Sequence, residues 1–418
     1  MKNFLLVCAS SAAALLALEI FLRLSGFSYP GFYQYDRAAG SAHRPGAEGW
    51  WREEGRGFVK INRFGMRDDR EISKKKPSGV YRIAVLGDSY AEAFQVPVGD
   101  TFWRVLENKL HACGAFDGKK AEVLNFGVAG YATVQELLTL RSRVWDFQPD
   151  MVLLAFLSGN DVRDNHPSLC PAPSRPFFVL QDSSLSLDTA LLQSYSFRFK
   201  SSSLYAGTVK VLDCFRLYQF IKKAQRDFFV RRHAAPLPKR QPQTGAEPSP
   251  LAQKPDPAEP AGTQPGPDIG LDNHIYLPPQ SKEWEEAWRI TEALLAQMRR
   301  EVAERGARFL LVSLTNGIQV HPDPKAREAF ARSLGCDDLL YPDRRIASFA
   351  AAQGIEAIVL APPMQKRAEQ TQRYFHGFPN TSMGGGHWNE NGHRVAGEII
   401  AEYLCNQGKN TADQQTGH

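Results

Sequence analysis

Residues 151–157 (MVLLAFL) are apolar without interruption. Such a run suits a strand covered on both faces, as in a parallel sheet, and not a strand with one face in water. Two shorter strand-length runs precede it: 82–86 (RIAVL), stopped by Gly87, and 122–126, ended by Gly127 and Gly130. Between the runs the apolar spacing becomes helical. Asp100 and Thr101 are positioned to cap a helix carrying Val105, Leu106 and Leu110, and 133–147 turns Leu137, Leu138, Val144 and Trp145 inward. The same rhythm returns at Lys282, where Trp284, Trp288, Thr291, Leu295, Met298 and Val302 define one long helix with the two tryptophans in the core. A strand over 308–314, a helix over 343–352, a strand over 357–360 and a helix over 389–405 follow. Strands alternating with helices predict an α/β protein, with three α/β/α layers and a mostly parallel central sheet. The two blocks, 81–165 and 281–405, together hold 210 residues, which suits one doubly wound domain.

The stretch 166–280 breaks the rhythm and reads as an insertion that shapes the cleft mouth or recruits a partner. It contains a hairpin over 177–187 and an amphipathic helix over 212–229. The segment 236–267 holds ten prolines in thirty-two residues, a composition that cannot bury a core and predicts a flexible linker. Residues 27–80 form an extension rich in Gly, Arg and aromatics, with a hairpin over 57–66, and 406–418 reads as a disordered tail. Fifty Lys and Arg against 45 Asp and Glu leave only +5. The densest basic stretch, 222–240, runs into the proline-rich segment without a nucleic-acid motif, so a nucleic-acid partner is not expected. Lys74, Lys75 and Lys76 read as a solvated charge run.

The N-terminus carries an address. Residues 4–18 are uncharged, the length of a signal-peptide core. Reading on through Glu19 to Leu24 reaches spanning length, because Glu19 and Arg23, four apart on one helical face, can pair. No convincing A-x-A site follows, which favours an uncleaved signal anchor over a removed peptide. Lys2 keeps the start of the chain in the cytoplasm. The expected location is a single pass of the inner membrane (1–26), with the rest of the chain in the periplasm or outside the cell. Cys8 reads as a small apolar residue of the span. Among the exported cysteines, Cys113 and Cys405 fall on predicted helices as core residues, and Cys170 with Cys214 is the expected disulfide.

Four motifs stand beside the strands. Gly87-Asp88-Ser89-Tyr90 follows the first, Asn125 to Gly130 the second and Ser158-Gly159-Asn160-Asp161 the third; Gly386-His387-Trp388-Asn389 precedes the last helix, with Asn389 as its N-cap. In order, spacing and placement these residues resemble the SGNH hydrolases, the GDSL-type esterase and lipase superfamily, over 81–165 and 281–405. The phrase 59–67 (VKINRFGMR) resembles the lead-in of membrane-anchored bacterial members, some of which lie near envelope polysaccharide or O-acetylation genes. The resemblance implies the flavodoxin-like SGNH fold. It also implies a serine esterase or deacylase acting on acyl, most simply acetyl, esters of an envelope carbohydrate or lipid, without a cofactor or metal.

By that resemblance Ser89 is the nucleophile and His387 its base, because a serine hydroxyl is a weak nucleophile until its proton is taken. The backbone N–H groups of Ser89 and Gly130 and the side-chain amide of Asn160 match the oxyanion hole. Asn125 and Asp161 read as turn residues beside it. The family's usual aspartate, three positions before the histidine, is here Gly384 in a run of three glycines. That departure leaves three outcomes open: a Ser–His dyad, another acid in space (Asp343 or Glu390), or a binding protein that has lost catalysis. The glycine run also reads as a loop that brings His387 into place. An O-acyltransferase, which passes the acyl group to a sugar hydroxyl, is the close enzymatic alternative. His393, six residues beyond His387, has no helical ligand spacing and reads as a helix-surface residue, not a metal ligand.

Overall fold

The computed structural model describes residues 1–172, 175–181, 184–233 and 271–416. The proline-rich segment 236–267 lies outside the described residues. Helix α1 (Lys2–Leu24) is followed by two hairpins, β1 (Tyr33–Asp36) with β2 (Gly40–His43) and β3 (Glu48–Trp51) with β4 (Gly57–Lys60). The first block then runs β5 (Val80–Gly87), α2 (Ser89–Glu92), α3 (Phe102–Cys113), β6 (Lys120–Asn125), α4 (Thr133–Ser142), β7 (Met151–Phe156) and α5 (Ser158–Asp161). The insertion adds the hairpin β8 (Phe177–Gln181) and β9 (Ser184–Asp188). It continues with helices α6 (Ala190–Gln193), α7 (Tyr195–Lys200), α8 (Ser203–Leu212) and α9 (Arg216–His233). The second block is α10 (Lys282–Glu304), β10 (Arg308–Ser313), α11 (Pro324–Leu334), α12 (Tyr341–Ala352), β11 (Glu356–Val359), α13 (Ala361–Thr371) and α14 (Glu390–Thr416).

Five strands form one wholly parallel sheet in the order β11-β10-β7-β5-β6. Counted along the chain this is 2-1-3-4-5 read from the β6 edge, the flavodoxin-like order, whose crevice lies at the carboxyl ends of the strands. The uninterrupted run of β7 explains why two layers are needed. Val152, Leu154 and Phe156 pack with α4, α10 and α12, while Met151, Leu153 and Ala155 pack on the opposite face with α3, α13 and α14. Trp284 and Trp288 are buried in the first of these layers, as their spacing predicts. The result is a three-layer α/β/α fold.

Several local expectations change. The segment 57–66 does not form its own hairpin: β4 pairs with the upstream strand β3, and only the bridge between Ile61 and Arg67 closes the downstream turn. Asn62 makes that turn tight, its side-chain oxygen accepting the N–H groups of Phe64 (2.9 Å) and Met66 (3.1 Å). The helix expected over 133–147 ends at Ser142 and gives way to a 3₁₀ turn. The helix expected over 212–229 is α9, which starts later, at Arg216, and runs to His233; the separate helix α8 ends at Leu212. At the C-terminal end, α14 runs on through residues expected to form a disordered tail, and Gln407 donates to Glu356 (3.0 Å) at the sheet edge.

The disulfide is Cys113–Cys405, and Cys170 and Cys214 are free. Both bonded cysteines are on helices, as expected, but α3 and α14 pack side by side and bring their Cα atoms to 6.1 Å, within bridging range. His393 is buried, not on the helix surface. Its ring stacks on Phe102, and its Nδ1 accepts the Phe102 N–H at 3.3 Å.

Candidate active site

The buried strand β5 ends at Gly87, where the chain turns sharply at the carboxyl edge of the sheet. Asp88 caps the next turn by accepting the Tyr90 N–H at 2.9 Å, which sets Ser89 as the first residue of α2. The far end of α2 is held from the N-terminal extension. The buried guanidinium of Arg67 donates to the carbonyls of Glu92 (3.1 Å), Ala93 and Val96 (2.5 Å), satisfying groups that a helix end leaves open. Burial lowers Arg67 to about 10, partly offset by the charge of Glu92.

His387 sits on a loop closed by the antiparallel bridge between His376 and Trp388, and the Tyr90 hydroxyl donates to the Gly386 carbonyl at 2.9 Å. This brings His387 Nε2 to 2.8 Å from Ser89 Oγ, across 298 positions of sequence. The other face of the imidazole meets a residue that the motifs do not contain. Glu54 Oε2 is hydrogen-bonded to His387 Nδ1, and Glu54 Oε1 accepts the His387 backbone N–H at 2.9 Å. Glu54 stands on the turn between β3 and β4, in the extension rather than the βα core.

Two glycines make this approach sterically possible. Gly386 has φ +67°, and a Cβ there would overlap the Glu54 carboxylate. Gly55, at φ +64°, lies so close to the Gln95 carbonyl that any side chain would push the turn away. Asn380, from the histidine loop, ties the two pieces together: its Oδ1 accepts the Gly55 N–H (2.9 Å) and its Nδ2 donates to the Gly55 carbonyl (3.2 Å).

The acids considered from sequence lie elsewhere. Asp343 accepts from Ser313 (3.0 Å) and Gln319 (2.6 Å) on the far side of β10, and Glu390 is exposed at the start of α14. Gly384 donates its N–H to the His376 carbonyl at 2.9 Å, a purely structural bond. The one signal for Glu54 in the sequence is an acidic pair, Glu53-Glu54, before a glycine. Nothing in its spacing to His387 marks it.

The electrostatics agree with an ordered Ser–His–Glu line. Burial alone would depress the His387 imidazolium, but the hydrogen bond and charge of Glu54, with Asp88 and Glu92 further off, outweigh it and hold its pKa above the ordinary value. Glu54 responds in the complementary sense: burial would raise it, and the hydrogen bond and charge of His387 bring it below the usual carboxylate range. With the carboxylate on Nδ1, that nitrogen carries the proton and Nε2 is free to accept from Ser89.

The remaining residues picked from the motifs surround the serine. Asn160 Nδ2 donates one hydrogen to Asp88 Oδ2 at 2.7 Å, and an amide has a second to give. Burial pushes Asp88 up to about 6, against the Tyr90 N–H and Asn160 amide that favour its charged form. Gly130 lies between two residues whose N–H groups are already used, Ala129 by Glu92 Oε1 (2.9 Å) and Tyr131 by the Val128 carbonyl (3.1 Å). Glu92 itself is gripped by His43 (2.6 Å) and by the Tyr33 hydroxyl (2.9 Å), both from the extension. Asn125 bonds the Ala91 carbonyl (2.8 Å) and the Gly127 N–H (2.9 Å), and Asp161 accepts the Leu157 N–H (2.6 Å), so both hold turns. Among the described residues no group of three His, Cys, Asp or Glu side chains is arranged to hold a metal ion.

No protein-family model matches the chain, and no curated protein matches it in sequence. Solved structures similar to it include an acetyl xylan esterase (10% identity, 77% of this chain and 98% of that one, TM-score 0.37). A mutant acetyl-xylooligosaccharide esterase from Geobacillus stearothermophilus is similar at 9% identity over 78% and 94%, TM-score 0.36. A GDSL-like lipase from Bacteroides thetaiotaomicron is similar at 10% identity over 80% and 91%, TM-score 0.32. With scores this low, the chemistry is to be read from the atoms of this chain.

Proposed function

We propose that the chain is an SGNH-type serine esterase or deacylase with a Ser89–His387–Glu54 triad. The observation that carries it is the continuous line from Ser89 Oγ through the imidazole to the Glu54 carboxylate. Ser89 Oγ attacks the ester carbonyl while His387 Nε2 takes its proton. The protonated ring then gives that proton to the departing alcohol, leaving an acyl-enzyme on Ser89. Water, deprotonated by the same nitrogen, releases the acid. The N–H groups of Ser89 and Gly130 and the second amide hydrogen of Asn160 are the proposed donors to the oxyanion, each worth about 3 kcal/mol. Glu54 occupies the role left vacant at Gly384, which removes the motive for a catalytically inactive binding protein.

The proposed substrate is an acyl, in the simplest case acetyl, ester of an envelope carbohydrate or lipid. Its support is the motif resemblance together with α1, a helix long and apolar enough to cross a membrane. The proposed location is an inner-membrane anchor with the catalytic domain exported, and the Cys113–Cys405 bridge suits an oxidising compartment.

A fluorophosphonate probe tests the chemistry directly. The folded full-length chain should label at Ser89, and Ser89→Ala should not. A folded protein that never labels would refute acyl-enzyme chemistry. Following acetylated glycan then separates hydrolysis, which releases free acid, from transfer to a second sugar hydroxyl.

A further inference from the structure

Helix α1 is bound to the insertion in an unusual way for a mere leader. Glu19, a charged residue inside its apolar stretch, accepts the backbone N–H groups of Arg216 (3.0 Å) and Leu217 (2.8 Å) at the start of α9. Its partner Arg23 reaches Glu19 (2.8 Å) and also donates to the Cys214 carbonyl (2.8 Å) between α8 and α9. The helix therefore neutralises its own acid by capping a neighbour.

That contact fixes a depth. At 1.5 Å per residue Glu19 lies about 7.5 Å, and Leu15 about 13.5 Å, before the end of α1 at Leu24. In a hydrocarbon core of about 30 Å, both positions are within the membrane when α1 spans it. The insertion packs against α1 at this same level. Leu15 and Leu16 face Leu212, Phe215, Tyr218 and Ile221 across an apolar hollow of about 400 Å³.

The outer surface of the insertion is correspondingly apolar. Helix α8 has no buried residue, yet Leu204 is 74% and Val211 62% exposed, and Lys210 is its single charge. Exposed Phe199 on α7 and Phe215, Phe220 and Ile221 around the start of α9 extend the patch. A patch of this kind on a soluble surface would be a liability. Flanking Arg198 and Lys200 on α7 supply the cationic border common beside lipid headgroups.

We propose that α7, α8 and the start of α9 rest in the outer leaflet of the bilayer beside α1, with lipid acyl chains occupying the hollow and covering the apolar patch. The catalytic domain is then seated on the membrane rather than tethered at a distance from it. This rests on α1 being retained as an anchor, and is independent of the esterase chemistry.

Full-length protein in phosphatidylcholine–phosphatidylglycerol vesicles tests the platform. The free cysteines Cys8, Cys170, Cys214 and Cys336 are replaced by serine or alanine, and an environment-sensitive fluorophore is attached to Leu204→Cys or Val211→Cys. Leu15→Cys reports the anchor, and Ser333→Cys, exposed on α11, reports water. Nitroxide-labelled lipid should reduce emission at 204 and 211 several-fold, as at 15, with a blue shift, and leave 333 unchanged. Water-like emission at 204 and 211 with a quenched probe at 15 would overturn the platform alone. Shielding at 204 and 211 without lipid quenching would mean that protein covers the patch, and would also overturn it. An unquenched probe at 15 would remove the anchor and the platform together, with fluorophosphonate labelling unaffected.

Discussion

The βα core and the N-terminal extension contribute to one site by different physical routes. The core presents Ser89 and His387 at strand and loop ends, where buried apolar strands dictate the geometry. The extension has only a small core of its own, Phe32, Ala47, Val59 and Ile61 packed on Phe94. It reaches the site through polar contacts instead: Arg67 on the carbonyls behind Ser89, His43 and Tyr33 on Glu92, and Glu54 on the His387 ring. In the proposed triad the acid comes from a segment that folds onto the core and not from the histidine loop, so the proposed activity is conditional on that docking.

The division of labour predicts a graded set of losses. His387→Ala takes away the base, and kcat for a simple acetyl ester should fall on the order of 10⁶-fold, as when a serine protease loses its histidine. Glu54→Gln keeps the shape of the turn but loses the charge and favours the wrong tautomer, so kcat should fall by about 10⁴. Steady-state kinetics on both proteins check the pair. Near-normal turnover in Glu54→Gln would show that the core is self-sufficient as a Ser–His dyad, and would break the comparison at its centre.

The pH profile sharpens the same contrast. Only the neutral imidazole accepts the Ser89 proton, so kcat/KM should rise with pH through the His387 ionisation. Because Glu54 outweighs burial, that midpoint should lie above the ordinary value of about 6.5. In Glu54→Gln the charge is gone and burial acts with less opposition, so the midpoint should move to lower pH. A midpoint unmoved by the substitution would mean that Glu54 does not share a proton with His387 in solution.

Legibility followed the source of order. Strands 82–86, 122–126, 151–157, 308–314 and 357–360 were readable to within two residues at each end: double-sided burial leaves an uninterrupted apolar run in β7, and shorter apolar stretches punctuated by glycine or helical spacing mark the others. Helices α11 and α13 were missed, since they bury only Ala331 in one case and Ala361, Met364 and Ala368 in the other, too little to mark a periodicity. The proline pair at 362–363 also reads as a breaker, although proline is well tolerated in a first helical turn. The serine and histidine were visible through local motifs at strand ends. Glu54 and the Cys113–Cys405 bridge were not, because each depends on which surfaces meet across roughly three hundred positions, and that pairing leaves no local trace.

The smallest predicted effect probes the docking itself. Asn380 touches neither Ser89 nor His387, but its two bonds to Gly55 hold the Glu54 turn against the histidine loop. Asn380→Ala removes both, a loss of about 1–2 kcal/mol, which corresponds to roughly five- to thirtyfold in kcat if it is expressed in the transition state. KM should change little. In a Glu54→Gln background the same substitution should cost almost nothing further in kcat, because the turn it steadies no longer carries a working acid. Equal losses in both backgrounds would assign Asn380 to general stability and separate the extension's folding from its part in the chemistry.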